Sequence, residues 1–305
     1  MKSIQILVLI LLLPLTVISQ NKKYTSFLTA LQEPEKVKWL DLDCKELTDL
    51  SSNIKKLPNV NSFYLTDCKL KEVPEGIEGL KNLTLLNLQG NNLSSLPDRL
   101  VKLHKLSVIN MRNNSFSTLP KILTSFSNLR EIDLAENHKL DFEQACKVLS
   151  EVKNLDFLYL SRNKLTALPS GISTLKKLKE LHLENNPDLN FEQAFEVMSQ
   201  VKSLRILVIA DNNLNKIPQN IDFLQQIEGL VLDNNPNIQI EDLAHRIQNL
   251  TNLKVLLYRN NNVEHLPDNL SKFSSLKLLE LSNNKFSEKE KSRIISGLPD
   301  TKIIF

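Results

Sequence analysis

The residue types best suited to chemistry in this chain are Asp133, Tyr159 and His182, with Glu180 and Glu184 two places to either side of the histidine. A carboxylate that orients an imidazole, and an imidazole that moves a proton, are the working parts of general acid–base catalysis. Their spacing of 26 and 23 residues is too long for one helix or strand, so only a recurring backbone could bring them together. If each sits on its own strand of a parallel stack, neighbouring strands lie about 4.8 Å apart. Tyr159 then reaches His182, but Asp133 stands roughly 10 Å from it, beyond hydrogen-bond reach. No GxGxxG, Walker loop, HExxH, CxxC or GxSxG accompanies the group. The other histidines, His104, His138, His245 and His265, each stand alone, which gives no metal-ligand spacing. The expectation is a chain with no catalytic, cofactor or metal site.

The backbone that would place those residues is written as one line repeated. LREIDLAENHKL from Leu129 is followed 49 residues later by LKELHLENNPDL from Leu178, and 49 further on by IEGLVLDNNPNI from Ile227. Aligned on L-x-x-L-x-L-x-x-N-x-L, units start at Val37, Val60, Leu83, Leu106, Leu129, Leu155, Leu178, Leu204, Ile227, Leu253 and Leu276. The eleven starts are 23 or 26 residues apart, so each interval of 49 is one of each kind. Apolar residues at fourth and sixth place, with the fifth turned the other way, follow a strand's period. The ninth place is Asn in nine units, from Asn91 to Asn284, and Lys45 and Cys68 in the first two. A buried Asn there can serve backbone groups that leave the strand unpaired, so stacked copies predict a hydrogen-bonded ladder.

These eleven registered copies resemble the leucine-rich repeat family over about residues 37–287. The resemblance implies an α/β solenoid, a horseshoe with a parallel β-sheet on its concave face and short helices and turns on its convex face. In the 23-residue units the Asn is followed by an apolar–Pro pair, such as Leu96-Pro97 or Leu168-Pro169, similar to the LPxxI type of repeat. Pro there opens a short helical or extended turn. In the 26-residue units the segments from Phe142, Phe191 and Ile240 carry apolar residues at i, i+3, i+7 and i+10, which predicts an amphipathic helix.

Both ends have their own signals. Residues 1–19, MKSIQILVLILLLPLTVIS, read as a secretory signal peptide: Lys2, an apolar run from Ile6 to Leu13, and Val17-x-Ser19 at the cleavage positions. The apolar stretch from Ile4 to Ile18 falls short of the ~20 residues that a spanning helix needs. Export to a secreted or periplasmic location is therefore expected, with no stable membrane insertion once the leader is removed. Residues 20–36 read as an N-terminal helical cap with Tyr24, Phe27, Leu28 and Leu31 on one face. Residues 288–305 read as a C-terminal cap: a helix with Ser287 as N-cap and Gly297 just after it, then a last strand in TKIIF. Cys44 and Cys68 fall on neighbouring rungs, where they either pair in an oxidising compartment or stay reduced, with Cys146 as a buried thiol.

The second, third, fifth, seventh and eighth places of every unit line the expected concave face. They hold 13 acids against 9 bases although the whole chain is +3, which argues against nucleic acid as a partner. Ile206, Val208, Val231, Val255, Leu257 and Leu278 form an outward apolar strip there, with Phe157 and Tyr159 to one side and Arg259 at the rim. An exposed apolar centre with a charged rim is interface anatomy. The candidate partner-binding residues are that strip with Phe157, Tyr159, Glu180, His182, Glu184, Asp233 and Arg259. The reading is an exported, non-catalytic module that binds a protein through this face. The alternatives are a glycan or cell-wall ligand, for which Trp39, Tyr64, Phe157 and Tyr159 are the aromatic platforms, and a regulatory or inhibitory subunit of a secreted enzyme.

Overall fold

The computed structural model describes residues 22–305; the leader and the first two residues of the expected cap lie outside the described residues. The described chain divides into two compact units, 22–160 and 161–305.

The N-terminal unit carries seven parallel strands in sequence order: β1 (Lys23–Tyr24), β2 (Trp39–Asp41), β3 (Ser62–Tyr64), β4 (Leu85–Asn87), β5 (Val108–Asn110), β6 (Glu131–Asp133) and β7 (Phe157–Tyr159). The C-terminal unit carries six more in the same manner: β8 (Glu180–His182), β9 (Ile206–Val208), β10 (Gly229–Val231), β11 (Val255–Leu257), β12 (Leu278–Glu280) and β13 (Lys302–Ile304). From β2 to β12 each strand is the third, fourth and fifth place of one repeat. The fourth place turns into the core, and Leu40, Phe63, Leu86 and Ile132 in one unit, like Leu207, Leu230, Leu256 and Leu279 in the other, are 0% exposed. The third and fifth places therefore lie on the open face of each sheet.

Two features fix the turn after each strand. The eighth place adopts a left-handed conformation in every repeat from Asp67 (φ 56°) to Asn283 (φ 59°). That conformation costs an ordinary residue roughly 1–2 kcal/mol, and Gly, Asn and Asp bear it best. Eight of the ten positions are Asp, Asn or Gly; Glu136 and Arg162 are the departures. At the ninth place the expected ladder is present. Asn91 donates to the carbonyls of Leu65 and Leu88 and accepts the N–H groups of Cys68 and Leu70. In the C-terminal unit each ladder Asn also accepts the backbone N–H of the ladder Asn before it: Asn163 donates to Asn186, Asn186 to Asn212, Asn212 to Asn235, Asn235 to Asn261 and Asn261 to Asn284.

The outer halves follow the two unit lengths. After Pro97, Pro120, Pro169 and Pro218 the 23-residue units form five-residue 3-10 helices. The 26-residue units form α-helices. These are α3 (Phe142–Glu151) in the N-terminal unit, after the short α1 (Phe27–Ala30) and α2 (Leu50–Asn53), and α4 (Phe191–Ser199) and α5 (Ile240–Ile247) in the C-terminal unit. Phe191, Ala194, Met198 and Val201 are buried, as the helical period requires. Asp141 and Asn190 cap α3 and α4 by accepting the N–H of Gln144 and Gln193.

The caps differ from expectation in detail. The N-terminal one is less helical: Tyr24 sits in β1, which adds a strand to the sheet, and only Phe27–Ala30 is α-helical. Tyr24, Phe27 and Ala30 are buried whereas Leu28 is 76% exposed, because so short a helix turns one narrow face inward. At the C-terminus Ser287 caps α6 (Glu288–Gly297) by accepting the Glu290 N–H, and Gly297 is the last residue of the helix rather than the one after it. Cys44 and Cys68 form a disulfide with their Cα atoms 5.3 Å apart, and Cys146 is a buried free thiol whose pKa burial pushes up to about 12. Among the described residues no helix is long and apolar enough to cross a membrane.

Candidate functional site

In the C-terminal unit, β8 presents Glu180 and His182 on the open face, and the chain just after it supplies Glu184. His182 Nε2 lies 2.7 Å from Glu180 Oε1, and its Nδ1 lies 3.0 Å from Glu184 Oε1. Ser161 donates its hydroxyl to the other oxygen of Glu184. Burial alone would depress the imidazole's pKa, but hydrogen bonds and charge from the two carboxylates outweigh it and raise it to about 9. Burial likewise opposes ionisation of Glu184, yet the contacts with His182 and Ser161 hold its pKa below the usual value. Both ring nitrogens thus carry protons at neutral pH and point at carboxylates. An imidazolium has no lone pair with which to accept a proton or bind a metal. Among the described residues there is no group of three or more His, Cys, Asp or Glu that could hold a metal ion.

The expected acidic field is also partly neutralised, because the acids face cations one rung away. Asp233 accepts the Arg259 side chain and, at 2.7 Å, its backbone N–H. Glu228 lies 3.3 Å from Arg205. In the N-terminal unit Asp156 pairs with Arg130 and Glu136 with Arg112. A count of formal charges along the face does not register such pairing, which depends on residues 23 to 26 positions apart.

The apolar strip is present but is not exposed. Ile206, Val208, Val231, Val255, Leu257 and Leu278 are 0–6% exposed and form one cluster, joined by Ala210 and by partly buried Ile304. In-register neighbours on β9, β10, β11 and β12 stand one strand spacing apart, so branched side chains touch along the row. The strip is thus a second apolar cluster, separated from the main core by the sheet itself. Ala210, at the seventh place of its unit, continues the alternation of Ile206 and Val208 but is not among the residues assigned to the strip from the sequence.

Phe157 and Tyr159 stand half-buried on the open face of β7 in the N-terminal unit, beside Glu131 and Asp133 of β6. Asp133 there accepts the Ala135 N–H at 2.8 Å, so one carboxylate oxygen is engaged in its own turn. At the first rungs Trp39 and Tyr64 lie with ring centroids 5.7 Å apart and planes at 46°.

Family profiles described as "Leucine rich repeat" match residues 35–93 and 81–138, and a further one matches 154–175. No curated protein matches the chain. Among solved structures, a leucine-rich repeat protein of Leptospira interrogans is 24% identical, with 93% of this chain and 100% of that one covered at a TM-score of 0.40. An internalin of Listeria monocytogenes is 21% identical, with 92% and 86% covered at a TM-score of 0.47. The repeating strands, the left-handed eighth place, the buried asparagine ladder and the matching profiles together make this chain a leucine-rich repeat protein.

Proposed function

We propose that the protein is an exported, non-catalytic binding module that takes a protein partner on the open face of β9 to β12. The observation that carries this reading is the apolar cluster on that face, whose members are 0–6% exposed and have to be uncovered for a partner to seat on them. The sheet's core is already filled by Leu207, Leu230, Leu256 and Leu279 on its other side, so the fold itself does not call for apolar side chains here. The ion pairs of Asp233 with Arg259 and Glu228 with Arg205 lie near it, the arrangement of an apolar interface centre and a charged rim. The doubly hydrogen-bonded His182 supports a role without proton transfer. The apolar leader and the Cys44–Cys68 disulfide support an oxidising compartment outside the cytoplasm.

The test places a photoreactive side chain at exposed Lys277, at the edge of this face, and at exposed Lys216 as a control. Illumination in the exported fraction should give a discrete protein adduct from Lys277 alone. Val208→Thr with Val231→Thr, which keeps shape but adds hydroxyls, should remove the adduct while circular dichroism stays native. Equal adducts from both positions, or an adduct indifferent to the double substitution, would move the partner elsewhere.

A further inference from the structure

We propose that the open face of the N-terminal unit carries a separate site for a neutral glycan, laid across β2 to β5. Four rungs contribute. Trp39 and Tyr64 supply adjoining half-buried rings, and Asn87 and Asn110 follow at the fifth place of the next two rungs. The Oδ1 of Asn87 accepts the Gln89 N–H at 3.0 Å, and that of Asn110 accepts the Arg112 N–H at 2.9 Å. A backbone N–H can only donate, so each amide is locked with its oxygen inward and its NH2 turned away from the turn. Neither NH2 has a hydrogen-bond partner among the described residues, and neither is cut off from solvent. The result is two pre-oriented donors one strand spacing apart, about 4.8 Å. Leu85 and Val108, half-buried at the third place of the same rungs, form an apolar shoulder beside them.

The chemistry of the track selects its ligand. Lys23 is paired with Asp41 at 3.1 Å and Arg112 with Glu136, so these two cations are already matched. Aromatic and aliphatic surface along one line, with amide donors along the next, suits a flat unit that has a C–H face and an edge of hydroxyl acceptors. A pyranose ring has both, and its length is close to one strand spacing, so successive sugars can meet successive rungs. A peptide would need pockets for its side chains, and the half-buried third- and fifth-place residues here make a shoulder rather than pockets. Trp39 Nε1 is a buried donor without an acceptor, and Lys23 lies over the same ring at 5.7 Å. A sugar hydroxyl at the edge of the ring would give that donor a partner. This site does not rest on the protein-binding reading of β9 to β12, and either can fail alone.

Trp39 is the one tryptophan of the sequence, so its emission reports directly on the site. The disulfide-intact protein is titrated with cellohexaose, chitohexaose and maltohexaose. At least one should change the emission saturably, and its disaccharide should bind more weakly by about tenfold or more, because it cannot span the rungs from Tyr64 to Asn110. Asn87→Asp with Asn110→Asp keeps the oxygen that holds each turn, as Asp133 does naturally with Ala135, and replaces each outward donor with a carboxylate oxygen. That pair should weaken binding by about tenfold or more while circular dichroism at the titration temperature stays native. Val208→Thr with Val231→Thr should leave sugar binding as it was. No saturable change with any hexasaccharide up to millimolar concentration, or binding that survives the paired Asp substitutions, would overturn the proposal.

Discussion

Gln193 grips both ends of one residue: its Oε1 accepts the Leu168 N–H at 2.8 Å while its Nε2 donates to the Leu168 carbonyl at 2.9 Å. Leu168 precedes Pro169 in a segment with no strand to pair with, so its two backbone groups depend on a side chain from the next repeat. The same task recurs at Leu266, before Pro267, but is divided. Glu290 accepts the Leu266 N–H at 2.9 Å, and Arg293 donates to the Leu266 carbonyl at 2.7 Å.

Gln193→Ala leaves both groups of Leu168 unserved and should cost about 2 kcal/mol or more in chemical denaturation. Gln193→Glu keeps the acceptor and removes the donor, so its loss should be smaller. Equal stability of wild type and Gln193→Ala would show that water serves Leu168 as well as the amide does.

The ladder gives a sharper contrast between neighbours. Asn186 accepts the N–H groups of Asn163 and Leu165 and donates to the Leu183 carbonyl, whereas Asn185 is the left-handed residue of the same turn. Asn186→Ala should cost several kcal/mol, at about 1–3 for each buried group left unpaired. Asn185→Gly should be nearly neutral, since Gly adopts positive φ freely. Comparable losses in the two variants would refute the assignment of the ninth place to the ladder.

His182 makes the stability of its unit depend on alkali. Its folded pKa, about 9, lies above the unfolded value near 6.5, so the contribution of its charge is complete below about 6.5 and is lost as pH rises through about 9. The melting temperature should fall between about pH 7 and 10, and the fall should be shallower in His182→Gln. Parallel profiles would mean that the two carboxylates do not hold the proton.

Glu290 works in the opposite direction. The hydrogen bond from Arg293 is the largest cause of its depressed pKa, about 2, with the Leu266 N–H and the Arg293 charge adding to it against burial. Its contribution is present above about pH 4.5 and disappears as pH falls towards 2. Glu290→Gln should be less stable than wild type at neutral pH and lose less on acidification.

Reduction should act locally. Cys44 and Cys68 close a loop of 24 residues at the first rungs, for which the chain-entropy estimate is about 3 kcal/mol. Cys44→Ser with Cys68→Ser should increase hydrogen exchange around β2 and β3 and leave the ladder from Asn186 to Asn284 protected. Uniform loss of protection would argue that the two units melt as one.

The repeat frame was legible because the pattern states it many times, and errors in one copy are corrected by the others. Ser287, the α3 and α4 segments and the ladder positions follow from local rules of spacing and capping. What escaped is set by neighbours a full repeat away. Val255 reads as exposed from alternation alone, yet it is 0% exposed and belongs to a cluster drawn from β9 to β12. Asp233 reads as part of an acidic field, and Arg259, 26 residues on, cancels it. Gln193 gave a faint signal: an Xaa-Pro pair in one repeat leaves backbone groups that some amide in the next helix must serve. Asn87 and Asn110 carry no signal in the sequence, because the tie between their oxygens and the following turn exists only in the folded chain.

The ladder in the C-terminal unit runs one way, each asparagine oxygen receiving the N–H of its predecessor. Removal of the 49 residues from Asn186 to Asn234 would bring Asn235 to the place where Asn186 now receives Asn163, with every later bond unchanged. A cut of any length that is not a whole number of rungs would strand an acceptor against a donor of the wrong register. Recombination between repeats can therefore lengthen or shorten the array by whole rungs with the ladder kept, while in-frame cuts of other lengths break it where the ends rejoin.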